Sequence, residues 1–138
     1  MSAYSRSSSL AAYQSVAAHG SVAAADPHRL VVMLMDGALE RIASARGALD
    51  NGAPVLKNRM IHRAVEIIAE LRASLNFAAG GEIATNMADL YDYSTRQLMR
   101  ANLEDRGELL DEVGNLLREL RGAWIAIPAQ LRAGGGVR

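Results

Sequence analysis

Apolar residues recur every three or four positions along most of this chain, and nowhere do they alternate as in a half-buried strand. The cleanest run is Leu110, Val113, Leu117, Leu120, Trp124 and Ile127, broadened by Leu109 and Leu116. An earlier run holds Val31, Leu34, Met35, Ala38, Ile42, Ala45 and Leu49. Val32, Met33 and Leu39 widen it, so this segment sits deeply or has two partners. Between the two lie Ile61, Ala64, Ile68, Leu71 and Leu75, then Ile83, Met87, Leu90, Leu98 and Ala101, with Ser94 as a gap. Each run reads as one amphipathic helix.

Helix punctuation falls between the runs. Asp26 and Pro27 suit an N-cap and a first helical position. Asn51-Gly52 ends the first helix, and Pro54 opens the second. Gly80-Gly81 is expected to stop the second helix and turn the chain into the third, which starts at Glu82. Asp105 and Glu108 stand at capping-box spacing before the fourth helix, and Pro128 stops it. Asp92 and Arg96 are spaced as a solvated pair on helix 3. Lys57 is expected on the polar side of helix 2, with Arg59, Arg63 and Glu66. Helices of about 20 residues each span ~30 Å. Short connections make such helices antiparallel neighbours, so the expected fold is all-α, an up-down-up-down four-helix bundle over 26–128. Residues 1–25 are expected to form a partly flexible arm with a short helix carrying Leu10, Tyr13 and Val16, and 129–138 a flexible tail.

Composition narrows the function. Half of the 138 residues are apolar but only 4% are aromatic, so the core is aliphatic and Met-rich. Lys+Arg and Asp+Glu are both 15, which argues against a partner bound by phosphate neutralisation. There is no cysteine, hence no disulfide framework or thiol nucleophile. The alanine-rich stretch before Asp26 is broken by Tyr13, Gln14, His19 and Gly20, so it is not read as a signal peptide, and no run is long enough to cross a bilayer. His19, His28 and His62 are scattered and form no Glu-x-x-His element, so neither a metal nor a cofactor is expected. No P-loop, dinucleotide turn or nucleophile elbow occurs, and no enzyme activity is expected. Gly37, Gly47, Gly114 and Gly122 sit inside helices and are expected to mark close helix–helix approach.

Val22 to Leu30, followed by Met33-Leu34-Met35-Asp36-Gly37, resembles the start of the flagellar secretion chaperone family FliS. Gly80-Gly81-Glu82-Ile83-Ala84, Leu90-Tyr91-Asp92-Tyr93 and Ala101-Asn102-Leu103 continue the match in order, and Leu120 to Trp124 closes it. Met35 stands where the family usually has Tyr, Ala24 for Thr, and Asp26 for Ser; Asp26 keeps the capping role. The resemblance implies a cytoplasmic export chaperone that binds the disordered C-terminal segment of flagellin. The client wraps around the bundle and becomes partly helical, which prevents premature polymerisation and supports delivery to the export gate protein FlhA. It also implies that an N-terminal segment, here Leu10, Tyr13 and Val16, can cover apolar surface and be displaced.

A client that folds on binding needs a long apolar track, such as a groove between helices. The track is expected near helices 2 and 3: Ile61, Ile68, Leu71, Leu75, Ile83, Met87, Leu90, Tyr91 and Leu98, many of which must also serve the core. The competing reading is a self-associating structural bundle without a flagellin client, dimerising through Val32, Met33 and Leu39.

Overall fold

The computed structural model describes residues 26–128. The arm residues Leu10, Tyr13 and Val16 and the tail 129–138 lie outside it. Four helices follow one another: α1 (Pro27–Asp50), α2 (Pro54–Ala73), α3 (Phe77–Glu104) and α4 (Gly107–Ile125). Helix α1 packs on α2 and α4, and α3 packs on the same two. With two- or three-residue turns between consecutive helices, that ring is an antiparallel up-down-up-down bundle.

The axis is filled by the predicted stripes. Met35, Ala38 and Ile42 meet Ile61, Ala64, Ile68 and Leu71, with Tyr91, Leu98, Leu110, Val113 and Leu117 opposite. Each large aliphatic side chain contributes about 1.5–3 kcal/mol on burial. Ser94, the gap in the third stripe, is fully buried, and its hydroxyl has no hydrogen-bond partner. Val32 and Leu39 are partly buried against the same core.

Asp26 caps α1 as expected, its side chain accepting from the Arg29 amide at 3.3 Å. Four local expectations change. First, α2 ends at Ala73, well before Gly80. The Ser74 hydroxyl donates to the Leu71 carbonyl at 2.7 Å, and Asn76 caps the next turn by accepting from the Ala79 amide at 3.0 Å. Short polar side chains that bond their own backbone end one helix and begin another without a glycine. The double glycine still matters: Gly81 (φ 51°, ψ −124°) breaks α3 after its first turn.

Second, Asp105 does not cap α4. It is the left-handed C-cap of α3 (φ 53°), and Arg106 precedes α4 with no side-chain cap. Third, Lys57 is buried rather than solvated. Its ammonium donates to the Asn102 carbonyl at 3.0 Å and to the Asp105 carboxylate, closing the end of α3. Asp92 likewise pairs between helices, with Arg72 at 2.7 and 3.1 Å, while Arg96 lies over the Tyr93 ring. Fourth, Gly47 and Gly122 have open space where a Cβ would sit, and Gly114 faces only Arg118 of its own helix, so none of these marks a close helix approach.

Candidate partner-binding groove

The α2–α3 turn, the start of α1 and the end of α4 gather at one end of the bundle. Two adjoining hollows open there. The first holds about 410 Å³ between α3 and α4. Ile83, Asn86, Met87 and Leu90 line one side, and Leu120, Ala123, Trp124 and Ile127 the other. The second holds about 290 Å³ between α1 and the α2–α3 turn, lined by Pro27, Leu30, Val31, Leu34, Ser74, Leu75, Met87, Tyr91 and Trp124. Met87 and Trp124 border both, so the two hollows adjoin and together make a largely apolar track along α1, α3 and α4.

The local sequence explains why this end is open. Gly81 adopts a backbone conformation that a side chain disfavours. Its break turns Phe77–Gly80 away from the line of α3, leaving Phe77 (48% exposed) and Ile83 (54%) at the surface. The opposite wall is fixed by a clasp between residues far apart in sequence. The His28 and Trp124 rings stack with centroids 5.1 Å apart and planes 11° from parallel. His28 Nε2 donates to the Trp124 carbonyl, and Trp124 Nε1 donates to the His28 carbonyl at 3.0 Å. Such pairing satisfies both polar edges, so the indole can lie 4% exposed. The Arg121–Asp36 ion pair (2.5 Å) holds α4 to α1 nearby.

No Asp, Glu, Lys, Arg or His lines either hollow. The polar exceptions are Asn86, Ser74 and the Tyr91 hydroxyl, whose pKa is pushed up by burial. Such a surface can bury apolar side chains and offer a few hydrogen bonds, but it places no base beside a nucleophile. Among the described residues no group of three His, Cys, Asp or Glu is arranged to hold a metal. No helix among them is long and apolar enough to cross a membrane.

The expected track residues divide. Ile83, Met87 and Leu90 line the first hollow, and Leu75, Met87 and Tyr91 the second. Ile61, Ile68, Leu71 and Leu98 are at most 1% exposed, and their burial holds the bundle together. Sequence reasoning did not assign Leu30, Leu34, Leu120, Ala123, Trp124 or Ile127 to the track. The signal was the breadth of the fourth stripe, where Leu116 and Ala123 widen a face that already holds Leu120 and Ile127.

The sequence model of the family described as "Flagellar protein FliS" matches residues 9–131. A protein of Vibrio cholerae named flagellar secretion chaperone FliS is 38% identical over 122 residues, covering 88% of this chain and 90% of the relative. Flagellar secretion chaperone FliSB of Pseudomonas aeruginosa is 43% identical over 115 residues (83% and 91%). The FliS chaperone of Salmonella typhimurium is 41% identical over 118 residues (85% and 87%). With similarity along nearly the whole length of both partners, the chain belongs to the FliS family of flagellar proteins.

Proposed function

We propose that this protein is a flagellar export chaperone whose client is the disordered C-terminal segment of flagellin, seated in the track between α3, α4 and the start of α1. The supporting observation is the pair of adjoining hollows, largely apolar and free of charged lining. A segment that folds on binding spends about 2–5 kcal/mol or more on ordering. Aliphatic side chains buried along a continuous track can offset that cost, whereas one small pocket cannot. Ile83, Met87, Leu90, Leu75 and Tyr91 receive the client, with Leu120, Trp124 and Ile127 as the facing wall. The buried positions Ile61, Ile68, Leu71 and Leu98 act on it by fixing the helices that carry those residues.

Occupying the client's polymerising segment in the cytoplasm prevents premature assembly, and the complex is then delivered to the export gate protein FlhA. The arm residues Leu10, Tyr13 and Val16 cover the track until the client displaces them. The experiment is calorimetric titration with the flagellin C-terminal segment and a scrambled control, using the full chain and a form lacking residues 1–25. Saturable one-to-one binding with a negative ΔCp is expected, tighter without the arm. Absence of binding by both folded forms would contradict the reading.

A further inference from the structure

The first hollow, between α3 and α4, is apolar on both walls but for one side chain. Asn86 lies on α3 between Ile83, three residues before it, and Leu90, four residues after, and so shares their face of the helix. Across from it stand Leu120, Ala123, Trp124 and Ile127 of α4. Asn86 is exposed, and among the described residues no group bonds its side-chain amide. The polar groups of the second hollow are placed differently. The Ser74 hydroxyl already donates to the Leu71 carbonyl at 2.7 Å, and Tyr91 is almost wholly buried. The charged neighbours of Asn86 on α3, Glu82 and Asp89, do not line the hollow. A segment that fills the first hollow therefore covers an uncommitted amide, which carries two donors and an acceptor.

We propose that Asn86 fixes the register of the client's helix in the first hollow, by pairing with one neutral polar side chain (Asn, Gln, Ser or Thr) on the client's otherwise apolar face. The inference rests on the groove reading above. Apolar contact alone sets register poorly. A helix with apolar residues every three or four positions buries nearly the same area when it slides by one heptad. A polar group inside such a seam breaks the tie. In register, two amide or hydroxyl groups bond each other; out of register, each is covered without a partner, which is the costlier state. A single buried Asn sets the register of coiled coils in the same way. The lining of the hollow selects the pairing group. A Lys, Arg, Asp or Glu of the client would meet no opposite charge there. The client's backbone groups are bonded within its own helix. A neutral amide or hydroxyl is what remains to answer Asn86.

The test is a set of double-mutant cycles between the full chain and the synthetic flagellin C-terminal segment, read by calorimetry. Each Asn, Gln, Ser and Thr of the segment is changed in turn to Leu, and every peptide is titrated against the native chain and against Asn86→Leu. One peptide position is expected to lose about tenfold in affinity for the native chain and almost nothing for Asn86→Leu. A nitroxide at one end of the segment reports register directly, through paramagnetic broadening of the Ile83, Leu90, Leu120 and Ile127 methyls. The native chain should give one pattern of broadening. Asn86→Leu should give broadening spread along the hollow, with its helix content by circular dichroism unchanged. Absence of any peptide position coupled to Asn86 would overturn the proposal, and so would an unchanged single pattern in Asn86→Leu. Either result, obtained with a segment that binds the native chain, removes the register role and leaves the groove reading standing. A segment that fails to bind the native chain overturns both.

Discussion

The two ends of this bundle are closed by opposite means. At the α1–α2 and α3–α4 turns, charged side chains find partners within the chain, Lys57 buried and Arg46 at the surface. The Lys57 ammonium sits under the end of α3, and Arg46 reaches Asp50 at 2.8 Å and Asp111 at 3.1 Å, filling the space beside Gly107. Every one of those groups is answered within the chain. At the α2–α3 turn the filling is aromatic and aliphatic, and it falls short by two hollows. Native interiors are packed at crystal-like density, so joined apolar hollows at one end are a departure that calls for an occupant. Polar plugs complete a fold from within; unfilled apolar space invites another chain.

Substitutions sharpen that contrast. Trp124→Ala has the largest expected effect, about 3–5 kcal/mol of lost stability, because it empties core volume and releases His28. Thermal unfolding reads it, and client binding falls with it. Lys57→Ala should cost about 2 kcal/mol through the lost stem packing and the unanswered Asn102 carbonyl, yet leave client affinity unchanged. If it weakened binding as much as stability, the two ends would not be independent. Ile83→Asp reverses the pattern. Stability should stay within about 0.5 kcal/mol because the side chain is half exposed. Affinity for the flagellin segment should drop roughly tenfold or more, about 1.4 kcal/mol by calorimetry. Ser94→Ala should stabilise by about 1 kcal/mol in chemical denaturation, since it removes a buried hydroxyl with no partner.

The smallest effect is on acid stability. Asp92 is held below its ordinary carboxyl range by the hydrogen bond from Arg72, and Glu112 by those from Tyr93 and Gln97. A carboxylate with a depressed native pKa contributes stability that is complete above its unfolded value and is lost as pH falls through the native one. Stability should therefore decline below about pH 4. Arg72→Gln should flatten that decline, as followed by circular dichroism.

The helices, their order and their antiparallel arrangement were legible in the sequence, because stripes of Leu, Ile, Val, Met and Ala repeat at helical spacing between Pro, Asn and Gly punctuation. The division of each stripe between core and groove was not. Ile61 and Ile83 are the same residue type at equivalent stripe positions, yet one is fully buried and the other 54% exposed. The difference arises from the backbone break at Gly81 and from how far each helix end reaches past its neighbours. Lys57 was misplaced because a lone lysine on a polar face gives no sign that a carbonyl and a carboxylate at a chain turn await it. The His28–Trp124 clasp joins residues from the first and last helices, and no local pattern encodes that contact.

The most direct test of the contrast between the ends is a methyl-detected NMR titration of the full chain with the flagellin C-terminal segment. Ile83, Met87, Leu90, Leu120 and Ile127 line the open end, and Val55, Leu56 and Leu103 lie exposed at the closed one. The account predicts saturable shifts at the first five, with the last three little changed. Shifts centred on Val55, Leu56 and Leu103, with Ile83 and Leu120 unmoved, would contradict it.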